Sequence, residues 1–383
     1  MLAALAAAVL VPSAASARSA SRVDLALVPL PKSALGAAGR SLPLARDSGV
    51  VSNAEAASDA SGNVTAKQLQ RLGRSSGYQL DYGNPFGSAA GVFEIQTAIE
   101  RFRSAAAARK GLAFWRRDEL NTSSLAKLGL RFSVKKLGLA IPGAHWAYSA
   151  TAEVKGLEPI HGVDAELQDG QYLLDISISA GTTSAAARLV PTVARKLHQR
   201  LQLALAGRLR AQPVKLPRPL QPGPPPHGPK PTALVLRKAD LGNATVAHQG
   251  YVKPKEAFDP EALSAYELTM SPAGQYNLLS QEIIVGASKL EVQYFGAIAL
   301  GGVAAGFGKA AKATPVDLGS VGDNARGEIL QVSVGGQKAY EAVVVLSHGA
   351  YLDFLAAVSP SVVTSANVQS LARLSAKRLD AGF

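Results

Sequence analysis

The apolar positions of this chain follow two different periods, one typical of strands and one typical of helices. Residues 93–100 place Phe, Ile, Thr and Ile at every second position, with Glu, Gln and Ala between them, which predicts a strand with one buried face. Residues 190–205 place Val and Leu at intervals of three and four, which predicts an amphipathic helix. Ser104 is placed to cap another helix over residues 105–117. The mixture predicts an α+β fold.

The same order of elements occurs twice along the chain. Short matches follow one another in both halves, and ordered matches are harder to obtain by chance than a single one. They join residues 26–28 with 233–235, 93–96 with 290–293, 169–173 with 348–352, and 193–201 with 371–379. We therefore expect two copies of one domain, each an antiparallel sheet covered by helices, and extra residues in the first copy at 47–63 and 118–136.

Each copy is predicted to run from a short apolar strand through an alternating strand and a helix to a three-stranded meander and a closing helix. In the second copy the first of these helices is expected at roughly residues 299–313. Gly170 and Gly349 are expected at tight turns that need a positive φ. The meander strands are expected at 146–154, 163–167 and 172–179, and at 328–334, 339–346 and 351–358.

A proline-rich segment separates the two copies. Residues 212–231 contain nine prolines, which excludes helix and sheet and favours extended polyproline II. At about 3.1 Å per residue, such a spacer reaches roughly 60 Å, so the copies are not required to touch. The predicted organisation is a signal peptide at 1–17, a first repeat at 22–207, a basic linker at 208–231 and a second repeat at 232–383.

The N-terminal residues predict export. Residues 2–11 form an apolar run, Pro12 follows, and Ala15-Ser16-Ala17 fits signal peptidase cleavage. No basic residue precedes the run, so the true start is expected further upstream; the alternative is an alanine-rich first helix of a cytoplasmic protein. The chain has no Cys, which excludes disulfides, thiolate metal sites and a lipid-modified cysteine. We expect a secreted or envelope-associated protein without a lipid anchor.

The order of strand, helix, meander and closing helix resembles the small extracytoplasmic domains of actinobacteria. These include lipoproteins of the PsbP-like fold and the sensor domains of receptor kinases. The resemblance rests on element order, on the alanine-rich composition and on the turn around Asp169-Gly170-Gln171-Tyr172 and its partner at 348–352. The acylated cysteine of the lipoproteins, a kinase domain and a transmembrane segment are absent. The resemblance implies a binding or accessory role in the cell envelope and supplies no catalytic residue.

No motif in the sequence predicts a catalytic, metal or cofactor site. The six histidines have no i, i+4 pair that would place two imidazoles on one helical face, and a pairing of His161 with Asp164 is as well explained by a loop contact. Two S-x-x-K patterns, at 124–127 and 133–136, lack the companion motifs of serine-lysine enzymes and are expected by chance. The glycine-rich stretch 301–309 fails the phosphate-loop spacing, and we interpret it as a helix that packs closely through Gly302 and Gly306.

A strip of basic residues, here called the basic strip, is the one feature that hints at a partner. No acidic residue occurs between Asp175 and Asp240. The chain from residue 232 onward has 12 basic and 13 acidic residues, so residues 1–231 hold +13 against a total of +12. The expected partner is an anionic wall polymer or membrane surface, nucleic acid being less accessible outside the cell; the alternative is a solvated helix face and a linker kept soluble by its charge. The strip consists of Arg188, Arg195, Lys196, Arg200, Arg208, Arg210, Lys215, Arg218 and Lys230.

These observations favour a non-enzymatic, exported protein that binds a small ligand or a protein through its duplicated domains. Aromatic residues make up only 6% of the chain, which disfavours ring-lined ligand cages. The alternative is a secreted hydrolase whose site is assembled from residues distant in sequence. A deep polar pocket with converging carboxylates, or a Ser-His pair, would favour the hydrolase.

Overall fold

A computed structural model describes the chain from residue 23 to residue 383. The description omits residues 59, 61–63, 84–90, 120–130, 142, 154–156, 219, 243, 254–261, 273, 307–310 and 335–336. The predicted signal peptide at 1–17 and the S-x-x-K pattern at 124–127 lie outside the described residues.

The first repeat is one antiparallel seven-stranded sheet with helices on both faces. Its strands are β1 (Gly49–Val51), β2 (Arg74–Gly83), β3 (Val92–Phe102), β4 (Arg131–Lys136), β5 (Ala144–Glu153), β6 (Ile160–Asp169) and β7 (Tyr172–Ala180). Its α-helices are α1 (Gly36–Gly39), α2 (Asn53–Ser58), α3 (Ala66–Leu72), α4 (Ala105–Glu119) and α5 (Thr183–Leu205). The sheet order is β1-β2-β3-β7-β6-β5-β4.

The second repeat has the same sheet topology. Its strands are β8 (Thr245–Val252), β9 (Ser264–Ser271), β10 (Leu278–Val285), β11 (Ala311–Val316), β12 (Asn324–Val334), β13 (Gln337–His348) and β14 (Tyr351–Ser359). Its α-helices are α6 (Pro231–Leu234), α7 (Lys289–Gly306) and α8 (Ser365–Gly382). The order β8-β9-β10-β14-β13-β12-β11 repeats that of the first sheet, which confirms the predicted α+β class with two sheet domains.

Strand register defines which residues of the two repeats are equivalent. The β6–β7 and β13–β14 turns contain Gly170 and Gly349, each with φ of 56°, as predicted. In each repeat, a side chain on the third strand also accepts a hydrogen bond from a backbone N–H in the segment that precedes the first strand. Thr97 accepts from Leu30 at 3.1 Å, and Gln281 accepts from Leu236 at 2.8 Å. Equivalent positions can therefore be compared directly.

The closing helices α5 and α8 cover one face of each sheet. Helix α5 buries four of its five predicted apolar positions against the sheet: Val190, Val193, Leu197 and Leu201. They pack on the odd-numbered residues of β6 and the even-numbered residues of β7. The fifth predicted position, Leu205, is 42% exposed because it ends the helix beyond the sheet. The matching residues of α8 are buried in the same way.

Several predicted elements were wrong in type or position. Both segments expected to be short apolar strands are helical: Leu25–Leu27 is a 3-10 turn and Pro231–Leu234 is α6. Residues 290–293, matched by sequence to strand β3, lie in the first turns of α7. Four residues that alternate in polarity fit either structure, and Ser288, which accepts the N–H of Glu291 at 3.1 Å, starts a helix here.

Only part of the two predicted insertions in the first repeat lacks a counterpart in the second repeat. Strands β1 and β4 fall inside 47–63 and 118–136, yet they pair as β8 and β11 do. Helix α2 lies inside the first of these ranges and α3 follows it; the described residues between β8 and β9 contain no such helices. Strands β11 and β4 had not been predicted, because edge strands with mostly exposed side chains lack an apolar stripe.

The second face of each sheet is covered by α4 or α7, and the two helices pack differently. Gly296 of α7 faces Leu352 and Val345, and a Cβ on it would lie 2.8 Å from both side chains. This close approach at Gly296 brings α7 onto the apolar sheet, and the predicted close packing through Gly302 and Gly306 stays a prediction. The equivalent position in α4 is Leu112, whose side chain stands between helix and sheet.

The proline-rich segment lies against the second repeat. Ser264 donates to the Gly223 carbonyl at 2.6 Å, and Tyr351 donates to the Pro229 carbonyl at 3.0 Å. The repeats also touch directly, because the Tyr294 hydroxyl of α7 donates to the Glu158 carbonyl of the first repeat. Within the described ranges, none of the helices has the length and apolar character needed to span a membrane.

Candidate functional site

A cavity of about 350 Å³ lies between α4 and the first sheet; we call it the acidic cavity. Its floor consists of side chains from β2, β3, β5, β6 and β7, and Trp115 of α4 forms part of its roof. Alternation along the strands creates this floor. On β6, Val163 and Ala165 point into the α5 core, so Asp164 and Glu166 must point to the opposite face.

Three carboxylates from adjacent strands line the cavity. Glu166 of β6 stands directly opposite Asp175 of β7, and Asp164 stands opposite Ser177. Opposed residues in an antiparallel pair have Cβ atoms about 5 Å apart, and like charges placed so are destabilising. Glu166 is only 9% exposed, which reduces screening by water. The lining therefore brings three acidic side chains together on one face of the sheet.

The wall nearest α2 is held by a buried ion pair. Arg74 Nε donates to Glu100 at 2.6 Å, and the Arg74 side chain is only 1% exposed. Arg74 also donates to Asn53 Oδ1 at 2.8 Å, and Trp115 Nε1 donates to the second Glu100 oxygen at 2.9 Å. The pair therefore fixes the indole at the roof, and three further carboxylates belong to the same lining.

Aromatic side chains complete the cavity despite their low overall content. Trp115, Tyr148 and Phe132 all line it. Tyr148 is next to Trp146, at 5.8 Å between ring centroids, and Arg116 stacks on Trp146 at 4.5 Å. Aromatic faces beside carboxylates form a surface suited to organic cations. Three aromatic residues thus meet at one cavity although aromatic residues make up only 6% of the chain.

A second pair of carboxyl groups lies on the same sheet face beside the cavity. Burial raises the pKa of Glu94, while hydrogen bonds with Asp81 and Ser179 act in the opposite direction. The Ser179 hydroxyl donates to Glu94 at 2.8 Å. A hydrogen bond between two carboxyl groups needs a proton on one of them, so this pair holds a proton at pH values where an isolated pair would be fully ionised.

The second repeat has no equivalent of these carboxylates. By register, the positions of Asp164, Glu166 and Asp175 are occupied by Val343, Val345 and Phe354. The two valines are buried under α7 in an apolar cluster, against which Phe354 also packs. The acidic cavity is thus a property of the first repeat.

The basic strip is exposed along most of its length. Arg200 is the exception, since its guanidinium donates to the Val28 carbonyl at 3.1 Å and also to that of Leu27. Arg200 therefore anchors the opening segment of the first repeat and is not available to a partner as the rest of the strip is. Lys196 is exposed but donates to the Ala34 carbonyl at 2.6 Å. The exposed members are Arg188, Arg195, Lys196, Arg208, Arg210, Lys215, Arg218 and Lys230.

The remaining sequence patterns acquire specific structural explanations. Ser133 and Lys136 lie on strand β4, where residues three apart point to opposite faces, so no hydroxyl–amine turn exists there. His161 contacts the Thr151 hydroxyl at 3.2 Å, whereas Asp164 lies on the other face of β6. Among the described residues, no group of three or more His, Asp or Glu side chains is arranged to hold a metal ion.

The sequence contains one signal for the acidic cavity, in the polar positions of two meander strands. Residues 164, 166, 175 and 177 are polar positions on two predicted meander strands whose other faces are fully apolar. One-sided strands normally turn their polar face to water. Only the packing of α4 over this face distinguishes a cavity from a solvated surface.

The fold and the cavity together define a two-domain α+β protein with a ligand-sized polar cavity in one domain. No protein-family model and no curated protein matches the chain. Among solved structures, a weak similarity is to the extracellular domain of PknH from Mycobacterium tuberculosis, with 14% identity, a TM-score of 0.29, and coverage of 46% of this chain and 95% of that one. The di-domain ARO/CYC BexL from the BE-7585A biosynthetic pathway is similar at 8% identity and a TM-score of 0.13, over 87% of this chain and 93% of that one. At these values neither similarity defines a family.

Proposed function

We propose that the protein is an exported binding protein whose first repeat holds a small organic cation in the acidic cavity. The observation that supports this most directly is the cross-strand pair of Glu166 and Asp175, with Asp164 beside it, under the Trp115 indole. Carboxylates form charge-assisted hydrogen bonds to ammonium groups, and aromatic faces attract cations by their quadrupole. A di- or triamine offers one ammonium group to each end of such a cavity.

The difference between the repeats also supports the proposal. A sheet face that only stabilises the fold is expected to be apolar. The face under α7 is an example, since Val343 and Val345 are buried there. The first repeat instead places three acidic side chains on this face, and carboxylates in a cavity lining are suited to bind a cation.

Spermidine should quench or enhance the tryptophan fluorescence of the protein in a saturable way, because Trp115 lines the cavity. Glu166→Gln and Asp175→Asn should each weaken spermidine binding by roughly tenfold, the value of one charge-assisted hydrogen bond. Glu153→Gln removes an exposed carboxylate on β5 outside the cavity and is the matched control. Equal weakening in all three variants, or no saturable signal with spermidine or tetramethylammonium, would refute the proposal.

A hydrolase is the second candidate function, because Glu166 and Asp175 come from different strands and converge in a cavity. Paired carboxylates can serve as acid and base or as nucleophile. Binding is the better supported function, since the lining combines carboxylates with the rings of Trp115 and Tyr148, a combination suited to an organic cation. Mass spectrometry of a bound amine or glycoside after incubation distinguishes the two: an unchanged compound supports binding, and cleavage that Glu166→Gln abolishes supports hydrolysis.

The proposal assigns the exposed part of the basic strip to adhesion on an anionic wall polymer or membrane surface. Long-range attraction of this kind is screened beyond about 8 Å at physiological salt. Co-sedimentation with isolated cell walls or anionic vesicles should therefore decrease strongly between low and high salt. Replacing Arg208, Arg210, Lys215 and Arg218 by Gln should reduce it further, whereas Arg200→Gln should not. Salt-independent sedimentation would contradict this assignment.

A further inference from the structure

A second cavity, on the outer side of α4, has the opposite charge. It has a volume of about 450 Å³ and lies between α3 and α4; we call it the basic groove. Three basic side chains line it: Arg71, Arg103 and Lys110. No acidic residue is among the described residues that line it.

Each basic residue of the groove is placed by a different element. Arg71 lies in the last turn of α3, Lys110 lies in α4, and Arg103 follows β3. Gly73 ends α3 with φ of 93°, and the Arg103 backbone N–H donates to its carbonyl at 2.9 Å. Since Gly73 has no side chain, the Arg103 stem packs across it; a Cβ there would lie 2.8 Å from Arg103 Cγ. The fold itself therefore brings the three cations together.

The charges of the three cations are not balanced by ion pairs within the described part of the chain. None of them forms an ion pair with any acidic side chain that the structure describes. In a cavity of this size the charges lie within about one Debye length of one another, so their repulsion is only partly screened at physiological salt. An anion in the groove would remove that repulsion and gain attraction from all three.

We propose that the basic groove binds the phosphate group of a phosphate ester. Arginine guanidinium groups donate two parallel hydrogen bonds to phosphate oxygens, and Lys110 adds a point charge. Gln68 and Ser104 supply polar side chains in the same lining. Ser104 already caps α4 by accepting the Ala107 N–H at 3.1 Å, so the site does not depend on a free helix terminus.

The groove also has an apolar side that suits an ester better than a free ion. Leu72, Ala107 and Phe114 line it next to the basic residues. The organic part of the ester would lie on these side chains while its phosphate faces the guanidinium groups. This inference is independent of the proposed cation binding, because the two cavities lie on different sides of α4 and share none of the described lining residues.

Calorimetric titration with glycerol 3-phosphate and with inorganic phosphate tests the site in the full chain. Arg71→Gln and Arg103→Gln should each weaken glycerol 3-phosphate binding by roughly tenfold or more. Arg109→Gln is the matched control, since Arg109 is an exposed neighbour of Lys110 on α4 that does not line the groove. All three residues are exposed, so the variants should fold, and unchanged thermal unfolding verifies this.

Vesicle binding identifies the source of the phosphate group. If phosphatidylglycerol vesicles bind the protein and Arg103→Gln weakens that binding while Arg109→Gln does not, the site takes a lipid head group. If only glycerol 3-phosphate depends on Arg71 and Arg103, it takes a soluble ester. The absence of saturable binding at millimolar glycerol 3-phosphate and phosphate, or equal losses in the control variant, would overturn the proposal.

Discussion

Replacement of Arg74 by methionine should lower the free energy of unfolding of the first repeat by about 3–5 kcal/mol. Arg74 is buried, and its guanidinium binds Glu100, Asn53 and the Val51 carbonyl. Methionine fills much of the same volume but leaves the Glu100 carboxylate without its charged partner. A buried carboxylate without compensation is costly in a low-dielectric environment. Denaturant unfolding followed by tryptophan fluorescence measures the effect, because Trp115 bonds to Glu100.

Two further variants separate the ion pair from simple packing. Arg101→Met removes a neighbouring arginine whose hydrogen bonds, within the described residues, go to the Ser75 and Ser76 hydroxyls. It should cost less than about 1 kcal/mol. The double variant Arg74→Met, Glu100→Leu removes both charges and should recover much of the loss. If Arg74→Met and Arg101→Met had equal effects, Arg74 would not be the anchor of this wall.

The second repeat should lose about 3 kcal/mol of stability between pH 5 and pH 8 because of one carboxyl group. Asp353 is 0% exposed in the core under α8, at the register position that Leu174 occupies in the first repeat. Burial raises its pKa to about 7, although Ser375 and Gln281 donate hydrogen bonds to it. The folded state therefore holds a proton that the unfolded chain releases above pH 4. Stability falls as the pH rises toward 7 and is constant above it.

Asp353→Asn tests this without changing the shape of the side chain. The variant should be more stable than the natural chain at pH 8 and should show a smaller fall between pH 5 and pH 8; the remaining fall comes from Glu328 and Glu341, whose pKa values burial also raises. Both tryptophans, Trp115 and Trp146, lie in the first repeat, so far-UV circular dichroism follows both repeats while tryptophan fluorescence follows the first alone. The unfolding transition followed by tryptophan fluorescence reports the first repeat, including any contribution from Glu94. It should be the same in Asp353→Asn and in the natural chain. Identical pH dependence of the dichroism transition in both proteins would refute the prediction.

The sequence predicted the parts of the fold that have a strong local signal. The meander strands, the turns at Gly170 and Gly349, and the buried face of α5 follow directly from period and glycine placement. Helix α7 was predicted too far along the chain. Its residues are apolar on all sides, as expected for a helix that is covered on two faces, so no apolar stripe indicated where it begins. The edge strands β4 and β11 were missed for the opposite reason, since most of their side chains are exposed.

Neither cavity was predictable by the same means. Glu166 and Asp175 meet because a hairpin pairs them, which a turn prediction could have given, but the covering of that face by α4 depends on tertiary packing. Arg71, Arg103 and Lys110 come from three elements with unrelated local patterns. The basic strip, in contrast, is continuous in sequence and is recognised from the sequence alone. Only the hydrogen bond of Arg200 to the opening segment required the structure.

Helix α7 has buried contacts with both repeats. One side of the helix packs on the second sheet. On another side, Tyr294 and Ala297 are buried against Leu157 and Ile160 of the first repeat. A first repeat expressed alone would expose the 157–160 segment to water, and a second repeat expressed alone would expose the tyrosine. Measurements on separated repeats would therefore report proteins with a new apolar surface, and the full chain is the right unit for every experiment described above.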